Sequence, residues 1–557
     1  MSVAPTEHEV AQRDWYDSDS SRTNWAEVID TSISASDAVL SVFDMATERW
    51  VQRPWRVVRE RAIEIASWID ATRGGRTTGA AIGLVGDPGP DLVAAVHAAW
   101  LSGSAVSILP GPVRGADDAR WAVATAARFA GVGVDIVLGS GSQLEALTAV
   151  DCALHIDHVD LVGVGIDTDG FRPVGLVGDA AAILQGTAGS TGDPKTAVLT
   201  AEAVATNTAA LVDRLRLDAA EDIGLSWLPL YHDMGLTFLV AGMSTGIPLW
   251  LAPNSAFAAS PFRWPQWLTD SGATVTAAPN FAYDIVGRYG TLLEGADLSR
   301  LRVALSGGEP IDPDAFDRFL DRAAAVGFDP AAATPAYGMA ESVCAVTVPA
   351  PGEGARYDQV TVGGDDGTTI ERRYPLLGEP LEGMEIRVVP ADVAVPAIEG
   401  RDVGAVEIRG TSMMAGYLGH PLIEPGTWFP TGDLGYLVDG RLVICGRTKE
   451  IVIVAGRNLF PVEIERAAAG VDGVRRGGVV AVSRGSGRPG LVIVAETRTT
   501  GDAVAQMRSA VMSAVASDCG VVPTDVVFVD PGSVPRTTSG KLRRLATRDL
   551  VESGAWS

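Results

Sequence analysis

The stretch Thr187-Ala188-Gly189-Ser190-Thr191-Gly192-Asp193-Pro194-Lys195 concentrates glycine, hydroxyl and ammonium groups in one short loop after an apolar run. Gly189 and Gly192 let the backbone turn its amides toward one point, and the hydroxyls of Thr187, Ser190 and Thr191 add donors. Lys195 supplies charge, so the loop suits a polyphosphate. A Gly/Ser surface turn would share this composition. The spacing is not that of a Walker loop, in which the last glycine and the lysine are adjacent.

Other groups with chemical potential follow in order. Ser306-Gly307-Gly308-Glu309-Pro310 joins an expected strand to an expected helix, where glycines let a flat ring approach the backbone. Tyr337-Gly338-Met339-Ala340-Glu341 offers an aromatic face and then a carboxylate. Thr431-Gly432-Asp433-Leu434-Gly435 sets a carboxylate beside glycines, a geometry suited to two vicinal hydroxyls. Ser539-Gly540-Lys541 carries one ammonium on a loop near the C-terminus, and His232 stands between aromatic and apolar residues in Trp227–Leu236, where taken alone it reads as a hydrogen-bonded core histidine.

The elements that must position these groups alternate. Apolar spacing predicts a helix over 62–69, a strand over 80–85, a helix over 91–100 and a strand over 105–109. Further strands are expected at 135–138, 181–185, 274–277 and 301–305, with helices after Thr200, Asn280 and Asp312. Short apolar strands alternating with helices argue for an α/β fold whose mostly parallel sheets are covered on both faces. After about residue 400 the texture becomes β-rich, with strands at 404–409, 440–445 and 450–454. The final hundred or so residues read as a small α+β unit of helix, strand, strand, helix, strand. The expected division is a polar, loosely held head at 1–30, a large domain at 31–446 and a small domain at 447–557.

Composition limits the classes. The chain has 557 residues, 47% of them hydrophobic, and a net charge of −25 from 44 basic and 69 acidic side chains. It can bury a core, and it has no reason to lie along nucleic acid or an anionic membrane. Any phosphate it handles needs a local site. Cys152, Cys344, Cys445 and Cys519 are too scattered for a disulfide framework or a zinc site and read as buried thiols. The start lacks a basic-then-apolar leader and the longest apolar run, 238–253, is interrupted by Ser, Thr, Gly and Pro, so no membrane span and a cytoplasmic location are expected.

Taken together the motifs resemble those of the adenylate-forming superfamily: acyl-CoA synthetases, peptide-synthetase adenylation domains and luciferases. The phosphate loop matches except that Thr196 stands where glycine is usual. Trp227–Leu236 and Ala278-Pro279-Asn280-Phe281-Ala282-Tyr283-Asp284 resemble the fatty acyl-AMP ligase branch, and 446–465 is the longest close match. The resemblance implies a large domain of layered sheets and a small C-terminal domain that swings about Lys449. It implies an ATP site of Thr187, Gly189, Ser190, Thr191, Gly192, Lys195, Gly307, Gly308, Glu309, Tyr337, Gly338, Met339, Asp433 and Arg447. Tyr337 would stack on adenine, and Asp433 with Arg447 would hold the ribose. Glu341 would hold Mg²⁺, for which one carboxylate suffices when phosphates and water complete the shell. Lys541 would touch both the carboxylate and the α-phosphate, with His232 at the entrance to the carboxylate site. Met234, Gly235, Phe281 and Gly456 would line the acyl or pantetheine channel.

The implied reaction activates a hydrophobic carboxylic acid as acyl-AMP and passes the acyl group to a phosphopantetheine thiol, on coenzyme A or on an acyl carrier protein in trans. The residues after Lys541 are too few for a fused carrier. The long stretch 342–377 is similar to the insertion of fatty acyl-AMP ligases, which is associated with poor use of coenzyme A. A full acyl-CoA synthetase and an inactive nucleotide- or acyl-binding relative are the alternatives, and an amino-acid adenylating enzyme fits less well.

Overall fold

The computed structural model describes residues 24–75, 80–112, 116–187, 195–363, 369–454, 457–485, 490–537 and 540–556. Two seven-stranded sheets dominate the large lobe. One runs in the order Ala333–Pro335, Val303–Ser306, Val275–Ala278, Gly224–Ser226, Leu249–Leu251, Val39–Asp44, Arg49–Pro54, all parallel except for the last, antiparallel edge strand. The other runs Gly416–Tyr417, Lys195–Thr200, Ala181–Thr187, Val106–Ile108, Ala81–Val85, Val134–Gly139, His155–His158 and turns antiparallel only at the edge that carries the glycine-rich loop.

Helices Trp25–Ala35, Trp55–Thr72, Pro90–Leu101, Ala201–Leu215 and Asp233–Thr245 contribute to one core with strands of both sheets. Pro90–Leu101 is buried at every position from Leu92 to Leu101, because a helix between two sheets has no face left for water. Its Trp100 Nε1 donates to the Ala182 carbonyl at 2.9 Å, tying it to the strand that leads into the loop. Asn207, fully buried on the helix Ala201–Leu215, donates to the Ala345 carbonyl at 2.8 Å and accepts from the Ala345 N–H at 3.3 Å. This pair fixes the strand that follows Glu341 at both backbone groups, so neither side of the buried amide is left unsatisfied.

A four-stranded antiparallel sheet, Met384–Val389, Gly404–Gly410, Phe429–Val438 and Arg441–Arg447, supplies the β-rich part. From Val452 onward the chain builds a separate core around the strands Val474–Arg484, Gly490–Thr497 and Asp525–Val529. Arg544 locks this lobe internally, pairing with Glu465 at 2.7 Å and Glu450 at 2.6 Å, while Glu465 also accepts from the Ala481 N–H. Buried charges persist because each has a partner.

Three features depart from the sequence reading. The described part of the 1–30 head is not loose: Asn24 caps a helix whose Trp25, Ala26, Ile29 and Ile33 enter the main core. Those spacings are helical, but the polar residues between them hid the pattern. A C-terminal helix, Arg544–Glu552, follows the last expected strand. Cys152 is exposed rather than buried. Within 342–377 the strands Tyr357–Gly363 and Thr369–Pro375 form a hairpin that joins the lobes. On one side Tyr357 and Arg373 bind Asp317 at 2.6 and 2.7 Å. On the other, Tyr374 donates to Glu463, and Arg372 faces Glu463 at 3.7 Å and donates to the Asp518 carbonyl.

Among the described residues no helix is long and apolar enough to cross a membrane. Ile29→Ala should lower unfolding free energy by about 2–5 kcal/mol, read from the urea midpoint at constant slope, as expected for a core aliphatic. A change near zero would mean that this helix does not belong to the core.

Candidate active site

The strands Ala181–Thr187 and Lys195–Thr200 form the stem of the glycine-rich loop, with Thr187 paired to Lys195 and its hydroxyl donating to the Lys195 carbonyl at 3.2 Å. Gly189, Ser190, Thr191 and Gly192 lie outside the described residues. Thr196, at the position where the resemblance implies glycine, sits in extended ladder opposite Gly186, a place that a β-branched residue suits. The Lys195 ammonium lies 4.7 Å from the ring centroid of Tyr417, and the Tyr417 hydroxyl donates to Glu341 Oε1 at 2.6 Å.

Glu341 sits on a single 3-10 turn, Ala340–Ser342, closed by Met339 N–H to the Cys344 carbonyl at 2.8 Å and by Ser342 Oγ to the Met339 carbonyl at 3.0 Å. The turn is so tight that a Cβ on Gly338 would stand 1.8 Å from the Cys344 carbonyl oxygen. It also forces Val343 to φ +66°, a strained value for a β-branched residue.

The adjacent strand ends Val275–Ala278 and Val303–Ser306 open a notch. Gly307 packs its bare Cα toward the Ala336 carbonyl, and Gly308 adopts φ +77°. Glu309 Oε1 accepts from the Phe281 N–H at 2.6 Å, at the start of the helix Asn280–Arg288. Burial raises the Glu309 carboxyl, against the opposite pull of that N–H and of Lys541 and Arg536. Across the notch Tyr337 donates to Asp433 Oδ2 at 2.6 Å and Arg447 Nε to Oδ1 at 2.8 Å. Asp433 therefore sits oriented from both sides, and burial together with Asp433 pushes the Tyr337 phenol up.

Below the notch lies an apolar cavity of about 830 Å³, counting its mouth. Met234, Gly307, Gly308, Tyr337 and Gly338 line it, and Leu211, Leu215, Phe238, Gly242 and Ile247 extend its walls. Gly235 and Phe281 are not among the lining residues. Gly235 serves packing, since a Cβ there would come within 2.2 Å of the Pro229 carbonyl oxygen. Phe281 stacks edge-on to Trp227 and Phe257 instead. Gly456 lies outside the described residues.

His232 stands at the N-cap of the helix Asp233–Thr245, its Nε2 buried with no partner among the described residues. Burial, with a smaller contribution from the Lys541 ammonium, holds its pKa down to about 4 despite Asp233. The same ammonium acts on Glu309 and on Cys344, a thiol that is only partly buried rather than fully buried as its sequence reading expected. The field of Lys541, from the small lobe, thus reaches three large-lobe groups. Its loop is held by Arg536 donating to the Gly540 carbonyl at 2.8 Å and by Lys541 N–H to Thr537 Oγ1 at 3.1 Å. Lys449 is exposed on the 3-10 turn Thr448–Glu450, between the Asp433–Arg447 pair and the Glu450–Arg544 pair.

The residues present fit a magnesium nucleotide. His232 Nε2, Ser306 Oγ and Asn280 Oδ1 are buried and unpartnered, and Glu341 Oε2 has no partner among the described residues.

Two signals were missed in the sequence. The cavity walls on the helices Ala201–Leu215 and Asp233–Thr245 are indistinguishable from core by pattern. The other signal was countable: of 44 basic residues only Lys195, Lys449 and Lys541 are lysines. A compact ammonium is not interchangeable with a guanidinium, and all three fall on motif positions.

Two lobes meeting over a notch, a phosphate-loop stem and an apolar cavity define the class of nucleotide-dependent, adenylate-forming ligases. A family model for AMP-binding enzymes matches residues 37–418, and the chain belongs to that family. It is 34% identical over 526 residues to a protein of Mycobacterium tuberculosis described as a ligase, covering 90% of this chain and 95% of that one. It is 30% identical over 522 residues to a protein of Mycobacterium bovis described as a fatty-acid–CoA ligase, covering 84% and 87%. A solved structure from a study of fatty acyl-adenylate ligases of E. coli and L. pneumophila matches with a TM-score of 0.86 at 25% identity, covering 96% and 98%.

His232 should stay neutral in the folded chain at all pH values above about 4. In the unfolded chain it titrates near its ordinary value of about 6.5. Between these values only the unfolded state takes up the proton, so this group makes stability fall as pH drops from about 6.5 toward about 4. Urea unfolding at pH near 7 and near 5 should show a smaller decrement in His232→Asn than in the wild type. An equal decrement would mean that the imidazole titrates normally.

Proposed function

We propose that the protein activates an apolar carboxylic acid as its acyl-adenylate, releasing pyrophosphate, and then transfers the acyl group to a phosphopantetheine thiol. The observation that carries this reading is the apolar cavity lined by Gly307, Gly308 and Tyr337, whose phenol together with Arg447 clasps Asp433 at the notch above it. In the first step a carboxylate oxygen forms a bond to the α-phosphorus of ATP while the bond to the pyrophosphate oxygen breaks, and pyrophosphate leaves with the electron pair. Two anions must meet, so the site works by fixed charges and dipoles rather than by covalent catalysis.

In this reading Lys541 bridges the attacking carboxylate and the α-phosphate. Neutral His232 donates its Nε2–H to one of their oxygens, a role open to it because that atom has no partner among the described residues. Lys195 and the loop 188–194 take the leaving pyrophosphate, and Glu341 would hold Mg²⁺, which supplies countercharge to the phosphates. Tyr337 lies against the adenine with Gly307, Gly308, Glu309, Gly338 and Met339, while Asp433 and Arg447 take the ribose hydroxyls. Closure of the small domain keeps water from the mixed anhydride. Rotation about Lys449 then withdraws Lys541, and the thiol sulfur displaces AMP.

The acceptor is phosphopantetheine on a carrier protein or on coenzyme A, reached in trans, in a cytoplasmic setting where thiols stay reduced. The hairpin Tyr357–Gly363 and Thr369–Pro375 supports the carrier, because its grip on Glu463 and Asp518 resists the rotation that a freely diffusing thiol awaits. A second reading rests on Asp233, the one carboxylate among the described lining residues, which could pair with the ammonium of an amino acid.

Exchange of labelled pyrophosphate into ATP, screened over fatty, aryl and amino acids, tests the proposal. Exchange with apolar acids is expected, amino acids alone would favour the Asp233 reading, and tight ATP binding without any exchange would leave a binding protein. Lys541→Ala should lower exchange by about 10²–10³-fold or more. Arg372→Ala should raise the ratio of CoA thioester to released acyl-adenylate several-fold in a product assay, and an unchanged ratio removes the hairpin from the acceptor question.

A further inference from the structure

Lys195 and Glu341 carry opposite charges on neighbouring elements, yet among the described residues no ion pair joins them. One side chain lies between. Tyr417 comes from the two-residue strand Gly416–Tyr417, antiparallel to Ala197 and Val198 at the edge of the second sheet. Its backbone is held on both flanks: Leu418 N–H donates to the Thr196 carbonyl at 2.8 Å and Ala415 N–H to the Val198 carbonyl at 3.0 Å. Met414 N–H donates to the Glu341 carbonyl at 2.8 Å, so the same strand also anchors the turn that bears Glu341.

From this fixed base the phenol does two separate things. Its hydroxyl donates to Glu341 Oε1 at 2.6 Å, and Oε2 has no partner among the described residues. Its ring face holds the Lys195 ammonium at 4.7 Å. A neutral side chain thus satisfies a cation and an anion at once without letting them touch. Were they to touch, each would be neutralised before any phosphate arrived, and nucleotide binding would have to break the pair.

We propose that Tyr417 is a positioning residue that holds Lys195 and Glu341 oriented but apart, so that a magnesium nucleotide meets two charges not already spent on each other. This rests on the adenylation reading. The hydroxyl and the ring have separable consequences. Tyr417→Phe keeps the ring and frees Glu341. Tyr417→Leu removes both devices and lets Lys195 fall onto Glu341.

The test is ATP binding by calorimetry in EDTA, together with the Mg²⁺ dependence of pyrophosphate exchange. In EDTA, Tyr417→Phe should bind ATP as the wild type does, and Tyr417→Leu about two- to fivefold more weakly, the scale of an exposed ion pair that the nucleotide must first break. In a Glu341→Gln background the Tyr417→Leu penalty should vanish, because the collapsed pair has lost its anion. In exchange, Tyr417→Phe should need about tenfold more Mg²⁺ for half-maximal rate, the scale of a hydrogen bond to a charged group, with KM for the acid unchanged.

The same penalty in both backgrounds, or an unaltered Mg²⁺ requirement in Tyr417→Phe, would overturn the proposal. If Tyr417→Leu fails to fold, the Phe variant still decides. Absence of exchange in the wild type with every acid would remove the adenylation reading alone, since the binding cycle in EDTA needs no turnover.

Discussion

Everything in this protein is arranged around the difficulty of bringing two anions together in a chain that is itself strongly acidic. At a net charge of −25 the long-range field repels both a carboxylate and a triphosphate. Attraction must therefore be local, short-ranged and dry. The structure supplies local attraction with ammonium groups on separate lobes, Lys195 on the stem of the loop and Lys541 on the small lobe, whose field reaches His232 and Glu309.

Holding such charges ready without letting them cancel is the second problem. Several neutral or doubly bonded side chains share that task. Asp433 is clasped by Tyr337 and Arg447, Glu309 is drawn to the Phe281 N–H, and Glu341 is oriented by Tyr417. Burial keeps His232 uncharged beside Lys541, where a second cation would only add repulsion. The rigid parts lie to either side of the joint: the Asp433–Arg447 pair ends the large lobe, and Arg544 with Glu450 and Glu465 begins the small one. Lys449 lies between these two anchored networks, which is where a rotation would be concentrated.

In the proposed mechanism the hairpin within 342–377 would work against that rotation. It fastens Asp317 of the large lobe to Glu463 and Asp518 of the small one through Tyr357, Arg372, Arg373 and Tyr374. Partly shielded ion pairs of this kind are individually modest, but several along one hairpin act together. The proposed choice of acceptor thus becomes a matter of how readily this strap is released.

Sequence alone determined the local chemistry and the order of elements, because both are written in near neighbours. Alternating strand and helix patterns, the caps at Thr200 and Asp312, and the motif residues from Thr187 to Lys541 could be read without coordinates, and the strands appeared within a few residues of their expected places. What only the tertiary structure decided are the relations between distant segments. The buried helix at Trp25 looked polar in one dimension, since its apolar positions are separated by solvent-facing ones. The cavity walls read as ordinary core, because an apolar residue beside a void has the same pattern as one beside another side chain. The contact of Tyr417 with both Lys195 and Glu341 joins three stretches of chain that no local spacing relates. Chemistry follows residue type, but proximity follows from how the sheets and lobes pack.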